Sequence, residues 1–328
     1  MKKKITRLAL SAALLALGAF AEAQQPKKVP RIGYLTTAAR LADAPRVEAL
    51  RQGLRDVGYV EGKNINIEYR YAAGKLERVP ELAEELVRLK VDILVVSGIA
   101  TAEPARRVTT TIPIVVAGAG NPIGSGLVAS LARPGGNVTG LYQFSPELLG
   151  KRLELLNEVT PKVSRFAFLN ATDAPAAKSM FKEAQVVAKA LGVQFQLIEV
   201  KAQNPDLEAA FRGMATDRIG ALVTESSGIV NFHRKTILQL VEQNRLPAMH
   251  SDQEWANAGG LMSYGSNRVY LYRRVGLYVD KILKGANPAE LPMEQPTKFE
   301  LVINLKAAEQ IGLTIPQSVL YRADKLIK

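Results

Sequence analysis

The sequence predicts an α/β protein made of two Rossmann-like lobes, each built on a parallel sheet. Three observations lead there. Short apolar, β-rich runs alternate with segments of helical periodicity. Several runs are continuously apolar, as in strands covered on both faces. The order of elements from Arg31 to Gly98 then restarts at Arg165.

Taken in order, Arg31 to Leu35 reads as a strand, and Arg46 to Val57 as a helix ended by Gly58. Ile65 to Tyr71 alternates apolar with polar, a strand with one buried face. Pro80 opens a helix with Leu82, Leu86 and Leu89 on one side. Asp92 to Ser97 and Ile112 to Ala117 suit central strands. Strands joined by helices imply right-handed crossovers.

The second round begins with the strand Arg165 to Leu169 and the polar loop Asn170 to Asp173. A helix carrying Met180, Ala184, Val187 and Leu191 ends at Gly192, and Val193 to Val200 is the next strand. Asp206 to Met214 is helical, and Gly220 to Thr224 is a strand entering Glu225 to Gly228. The two rounds share topology and little identity.

A crossing between lobes is expected at Tyr142 to Glu147, before the helix Leu148 to Val159. The tail holds a helix, Leu271 to Leu283, a segment with Pro288, Pro292 and Pro296, the strand Phe299 to Ile303 and the helix Leu305 to Ile311. Neither tail piece makes a domain alone, so the chain is expected to cross back. The first lobe is placed at residues 29–143 plus about 264–290, and the second at 144–261 plus about 295–328.

The N-terminus reads as a signal peptide spanning residues 1–23. Lys2, Lys3, Lys4 and Arg7 precede an apolar run from Leu8 to Phe20, and Ala21-Glu22-Ala23 offers small residues for cleavage after Ala23. That run is too short to span a bilayer of about 30 Å. Export to the periplasm follows. The net charge is +12; four cations and one Glu leave with the leader, giving +9. No block of clustered Lys and Arg remains, so no nucleic-acid partner is expected.

The chain has no cysteine, which excludes a lipid-anchored cysteine, disulfides and thiolate chemistry. His233 and His250, the only histidines, lack the spacing and companions of a zinc site. Glycines between Gly118 and Gly126 do not fit G-x-G-x-x-G, and neither a Walker A sequence nor a G-x-S-x-G elbow occurs. No catalytic residue, metal or cofactor is therefore expected.

Ligands of open parallel sheets bind beyond the carboxyl ends of the strands. Small polar residues gather there: Thr36 and Thr37; Gly98 and Thr101; Asn121 and Pro122; Asn170, Thr172, Asp173 and Ala174; Glu225 and Ser226; and Asp252. Several of these loops enter helices, whose first N–H groups favour an anion. Tyr264, beside an expected crossing, completes the candidate set as hinge or aromatic wall.

Long strings also resemble a known family. They are Gly53-Leu-Arg-Asp-Val-Gly-Tyr-Val-Glu-Gly-Lys-Asn64, Gly124-Ser-Gly-Leu-Val-Ala-Ser-Leu-Ala-Arg-Pro-Gly-Gly-Asn-Val-Thr-Gly140, Gly150-Lys-Arg-Leu-Glu-Leu-Leu156, Gly259-Gly-Leu-Met-Ser-Tyr-Gly265 and Pro296-Thr-Lys-Phe-Glu-Leu-Val-Ile-Asn-Leu305. The chain resembles ABC-transporter substrate-binding proteins related to tryptophan- and tyrosine-binding proteins. The resemblance implies a type I periplasmic-binding architecture, three interlobe crossings, closure by hinge motion and no catalysis. It implies a small polar, carboxylate-bearing, amino-acid-like ligand and a membrane permease as partner. The turn from Asn170 to Pro175 matches the place of a ligand carboxylate, and Asn121-Pro122 a place where Asp-Pro is common. A ligand-sensing module for a membrane receptor is the alternative, and a periplasmic hydrolase or lyase is a weaker one.

Overall fold

The structure, a computed structural model, describes residues 28–143, 147–172, 176–201, 203–225 and 227–328. The leader, with its cleavage point, and the candidates Asp173, Ala174 and Ser226 lie outside the described residues.

The first sheet contains β1 (Arg31–Thr36), β2 (Asn66–Tyr71), β3 (Ile93–Val96), β4 (Ile114–Ala119) and β5 (Val138–Tyr142), all parallel, in the order β2-β1-β3-β4-β5. The second contains β6 (Arg165–Ala171), β7 (Gln194–Val200), β8 (Ala221–Thr224), β9 (Ala248–His250), β10 (Met262–Ser266), β11 (Phe299–Asn304) and β12 (Lys325–Ile327), in the order β12-β11-β10-β9-β8-β6-β7. Its β7-β6-β8-β9-β10 portion repeats the connectivity of the first sheet. The repeat anticipated from the sequence is thus one of strand order. The second sheet is not wholly parallel, because β10 and β11 pair antiparallel. The second sheet departs from parallel only at that edge, where the chain arrives from the other lobe rather than through a helix on the same face.

Both sheets are covered on both sides. In β3, Ile93 and Val95 enter one apolar cluster and Leu94 and Val96 the opposite one. In β6, Phe166 and Phe168 face one core while Ala167 and Leu169 face another. Side chains of successive strand residues point to opposite faces, so a doubly covered strand must be apolar throughout.

The helices around the first sheet are α1 (Arg40–Asp56), α2 (Val79–Arg88) and α3 (Ile99–Val108). Helix α1 starts at Arg40 rather than Arg46, with Pro45 inside it. Proline reads as a stop in sequence, but here only the exposed second turn loses a hydrogen bond. The remaining helices are α4 (Glu147–Val159), α5 (Ala176–Leu191), α6 (Leu207–Thr216), α7 (Gly228–Phe232), α8 (Arg234–Gln243), α9 (Gln253–Asn257), α10 (Arg268–Leu283), α11 (Leu305–Gln310) and α12 (Gln317–Leu320).

Helix α10 returns to the first sheet. Its Leu271, Tyr272, Val275, Tyr278 and Val279 share a core with Ile32, Tyr34 and Leu50. It lies against α1 backbone to backbone. A Cβ on Gly53 would stand 1.8 Å from the Arg273 carbonyl oxygen, and one on Gly276 2.3 Å from the Gly53 carbonyl carbon. The chain crosses between sheets three times: from β5 to α4, from β10 to α10, and from α10 to β11. The second crossing follows Ser266, so Tyr264 still belongs to the second sheet, paired with Leu301. The third runs first along β5, where Glu294 N–H donates to the Gly140 carbonyl and Tyr142 N–H to that of Glu294, both at 3.0 Å.

Candidate functional site

The carboxyl ends of β1, β3 and β4 face that of β8 across a cavity of about 1140 Å³. The cavity exceeds the roughly 300–1,000 Å³ usual for small-molecule sites. It extends past the cleft along Leu238 and Gln239 of α8 and Gln310 of α11.

The wall from the first lobe is made of small residues. Thr37, Ala38 and Ala39 follow β1; Ser97, Gly98 and Ala100 follow β3; Gly118 lies near the end of β4, and Gly120 and Asn121 follow it. Gly98 has φ 84°, a left-handed conformation open to glycine, and it turns β3 directly into α3. The wall from the second lobe is more polar, with Arg152, Glu225, Ser227, Asn231 and Arg234; Phe232 adds an aromatic face. Arg46 and Arg268 line the cavity from α1 and α10. Among the described lining residues five are basic, with Lys235 the fifth, and two acidic, Glu225 and Glu242.

Of the residues singled out from sequence, the cavity brings together Thr37, Gly98, Asn121 and Glu225. The other described ones do not line it. The Thr36 hydroxyl accepts from Ala38 N–H at 3.2 Å, and Thr101 donates to the Gly98 carbonyl at 3.0 Å; both threonines are fully buried. The Pro122 carbonyl accepts from Leu127 N–H at 2.9 Å. Asn170 is buried and donates to the Ala171 carbonyl at 2.8 Å. Thr172 is exposed, and its N–H donates to the Val200 carbonyl. Asp252 caps α9, accepting from Glu254 N–H at 3.1 Å and from Arg268 at 3.3 Å. Tyr264 offers its carbonyl to Arg152 at 2.7 Å.

Sequence reasoning missed the charged residues that tie the lobes together. Arg46, on the first lobe, grips Glu254 of α9 with Nε at 2.8 Å and Nη2 at 2.5 Å. Arg234 shares the same carboxylate at 2.8 Å. Asp43 accepts from Tyr34 at 2.6 Å and pairs with Arg46 at 3.3 Å. Burial alone would raise the Glu254 carboxyl, but Arg46, Arg268 and Arg234 hold it down at about 2. Burial raises the Asp43 carboxyl despite Arg46 and Tyr34. A second pair, Arg152 with Glu225 at 2.5 Å, lies within the second lobe. One signal for these arginines was in the sequence: Arg152 sits among Leu149, Leu153 and Leu156, on the buried side of α4.

Beside this network His250 stacks on Trp255, with ring centroids 4.6 Å apart, and its Nδ1 meets the Thr224 hydroxyl at 2.9 Å. Burial, reinforced by Arg234 and Arg152, pushes the imidazole down to about 3, so it stays neutral. The lobes also touch at their rims. Leu76 packs on the second lobe's core, and the Phe232 ring lies 2.5 Å from where a Gly74 Cβ would stand. Among the described residues no group of His, Cys, Asp and Glu suits a metal ion, and no helix is long and apolar enough to cross a membrane.

Comparison with known proteins agrees with this geometry. The chain is 24% identical over 321 residues to the tyrosine-binding protein of Clostridioides difficile, covering 92% of this chain and 87% of that one. A conserved domain protein from Vibrio cholerae superposes with a TM-score of 0.84 at 27% identity, over 91% of this chain and 100% of the other. An ABC domain from Streptococcus pneumoniae in complex with L-Trp gives 0.83 at 26%, over 91% and 99%. The family model described as ABC transporter substrate binding protein matches residues 42–327. With two like sheets, three crossings and a cleft between them, the chain belongs to the ABC transporter substrate-binding protein family.

Proposed function

We propose that this chain is the exported, periplasmic solute-capturing subunit of an ABC importer. It takes a small carboxylate-bearing molecule of amino-acid-like size between its lobes, closes on it and presents it to a membrane permease. It performs no chemistry on the solute.

The observation that carries this reading is a cavity lined by strand-end loops of both lobes, with small polar residues and arginines in its wall. Contacts from both lobes exist together only in the closed form, so a ligand shifts the open–closed equilibrium by its differential affinity. Thr37, Gly98 and Asn121 would hold the solute from one side and Glu225 and Ser227 from the other. The small residues of the first wall leave room for a bulky side group. Relatives that bind tyrosine and L-Trp support a ligand of this size.

The test is a thermal-shift and calorimetric screen of the leader-free protein against amino acids, other small carboxylic acids, sugars and nucleosides. A true ligand at 100 times its Kd adds about 2.7 kcal/mol of stability. Binding of a sugar or nucleoside, with every carboxylate silent, would sink the reading.

A further inference from the structure

We propose that the ligand is an organic acid without a protonated amine, and that Asn121 selects it by donating a hydrogen bond to an acceptor on the solute. This rests on the cleft as a carboxylate-capturing site and narrows the ligand class within it.

The orientation of Asn121 is set by the backbone. Gly124 N–H donates to its Oδ1 at 2.8 Å. An amide N–H requires an acceptor, so the oxygen must face the turn and the NH₂ group is what remains. Among the described residues Nδ2 has no hydrogen-bond partner, while Asn121 and Gly124 both line the cavity. The position therefore turns N–H donors outward and carries no charge, its oxygen being directed at the Gly124 N–H. An ammonium group is itself only a donor and gains nothing there. A keto, hydroxyl or carboxylate oxygen gains a hydrogen bond.

The surrounding charges act in the same direction. Arg46, Arg234 and Arg268 are paired with Glu254 and Asp252 behind the surface, so the lining carboxylates an ammonium could meet are Glu225 and Glu242. Glu225 is opposed by Arg152 at 2.5 Å, and Arg152 is fixed in place by the carbonyls of Tyr264 at 2.7 Å and Ser251 at 3.3 Å. An ammonium approaching Glu225 thus meets a guanidinium that cannot move aside. Glu242 is exposed, in the last turn of α8, away from the strand ends. On the first lobe the nearby hydroxyls of Thr36, Ser97 and Thr101 are already engaged with backbone groups.

Calorimetry with matched pairs tests the inference: L-phenylalanine against phenylpyruvate, L-tryptophan against indole-3-propionate, L-leucine against 4-methyl-2-oxopentanoate. In at least one pair the amine-free acid should bind about tenfold tighter or more. Asn121→Asp keeps the acceptor for Gly124 N–H, so the turn persists while the donor is lost and an anion appears. That variant should weaken the acid by about tenfold and improve the amino acid, reversing the preference. Amino acids binding the native protein as tightly as their amine-free partners overturn the inference and leave the proposed function standing. If no member of any pair and no other carboxylate binds while a sugar or nucleoside does, both readings fall together.

Discussion

Replacing Glu254 by Gln removes one negative charge from between Arg46 and Arg234 and nearly preserves shape. Arg46 is 7% exposed and Glu254 14% as side chains, so the pair is shielded from solvent screening. The carboxyl lies at about 2 against an ordinary 4.5. At ~1.4 kcal/mol per pH unit, that difference corresponds to about 3 kcal/mol. The usual cost of stripping one partner from a buried pair, about 3–5 kcal/mol, agrees. The sign follows from a folded-state value below the unfolded one. The stabilisation is complete above pH 4.5 and is lost as pH falls towards 2. Trp255, the chain's single tryptophan, is fully buried next to this carboxylate, so its fluorescence reports the site during urea unfolding. At pH 7 Glu254→Gln should lose about 3 kcal/mol, and the gap from the native protein should close on acidification. A loss under about 1 kcal/mol, the worth of an exposed ion pair, would refute the reasoning.

Three further outcomes are expected. Gly74→Ala puts a Cβ 2.5 Å from the Phe232 ring of the other lobe; overpacking of about 1–2 kcal/mol at that contact should speed ligand release about tenfold in stopped-flow displacement. Gly276→Ala forces α10 away from α1 and should cost about 3 kcal/mol in chemical denaturation. His250 takes a proton at about 3 when folded and near 6.5 when unfolded. Stability should therefore fall as pH is lowered from 6.5 towards 3, by about 1.4 kcal/mol per pH unit. His250→Asn, which keeps a polar atom near Thr224, should flatten this slope in a stability–pH series.

The fold was legible because its signals are local and repeated. Continuous apolar runs such as Ile93 to Val96 mark doubly covered strands, and Gly58 and Gly192, at φ 93° and 70°, mark where helices stop. The cleft was legible in part. A small polar residue after a strand serves equally well as cap, turn or ligand contact. Thr36, Thr101 and Asp252 engage the backbone or a neighbouring arginine, while Thr37 and Asn121 reach the cavity. Nothing in the spacing separates these cases. The interlobe pair was out of reach for another reason: Arg46 and Glu254 are 208 positions apart and on different lobes, so no local pattern joins them. The Gly53–Gly276 contact is equally remote in sequence, though Gly53 opens one of the family strings.

The segment that returns past β5 also bears on behaviour in a crowded compartment. A sheet edge exposes unpaired N–H and C=O groups that another chain can adopt as a template. Here the chain closes one edge itself, through Glu294 on Gly140 and Tyr142 and through the Thr139 hydroxyl on the Leu291 carbonyl at 2.6 Å. At the opposite edge of that sheet, β2 carries Glu68 and Arg70, each beside an opposite charge. The second sheet ends in the three residues of β12, with Lys325, and in β7, with Gln194, Gln196 and Glu199 exposed. Two copies meeting edge to edge find charge, amide or an occupied ladder, which disfavours strand pairing between them.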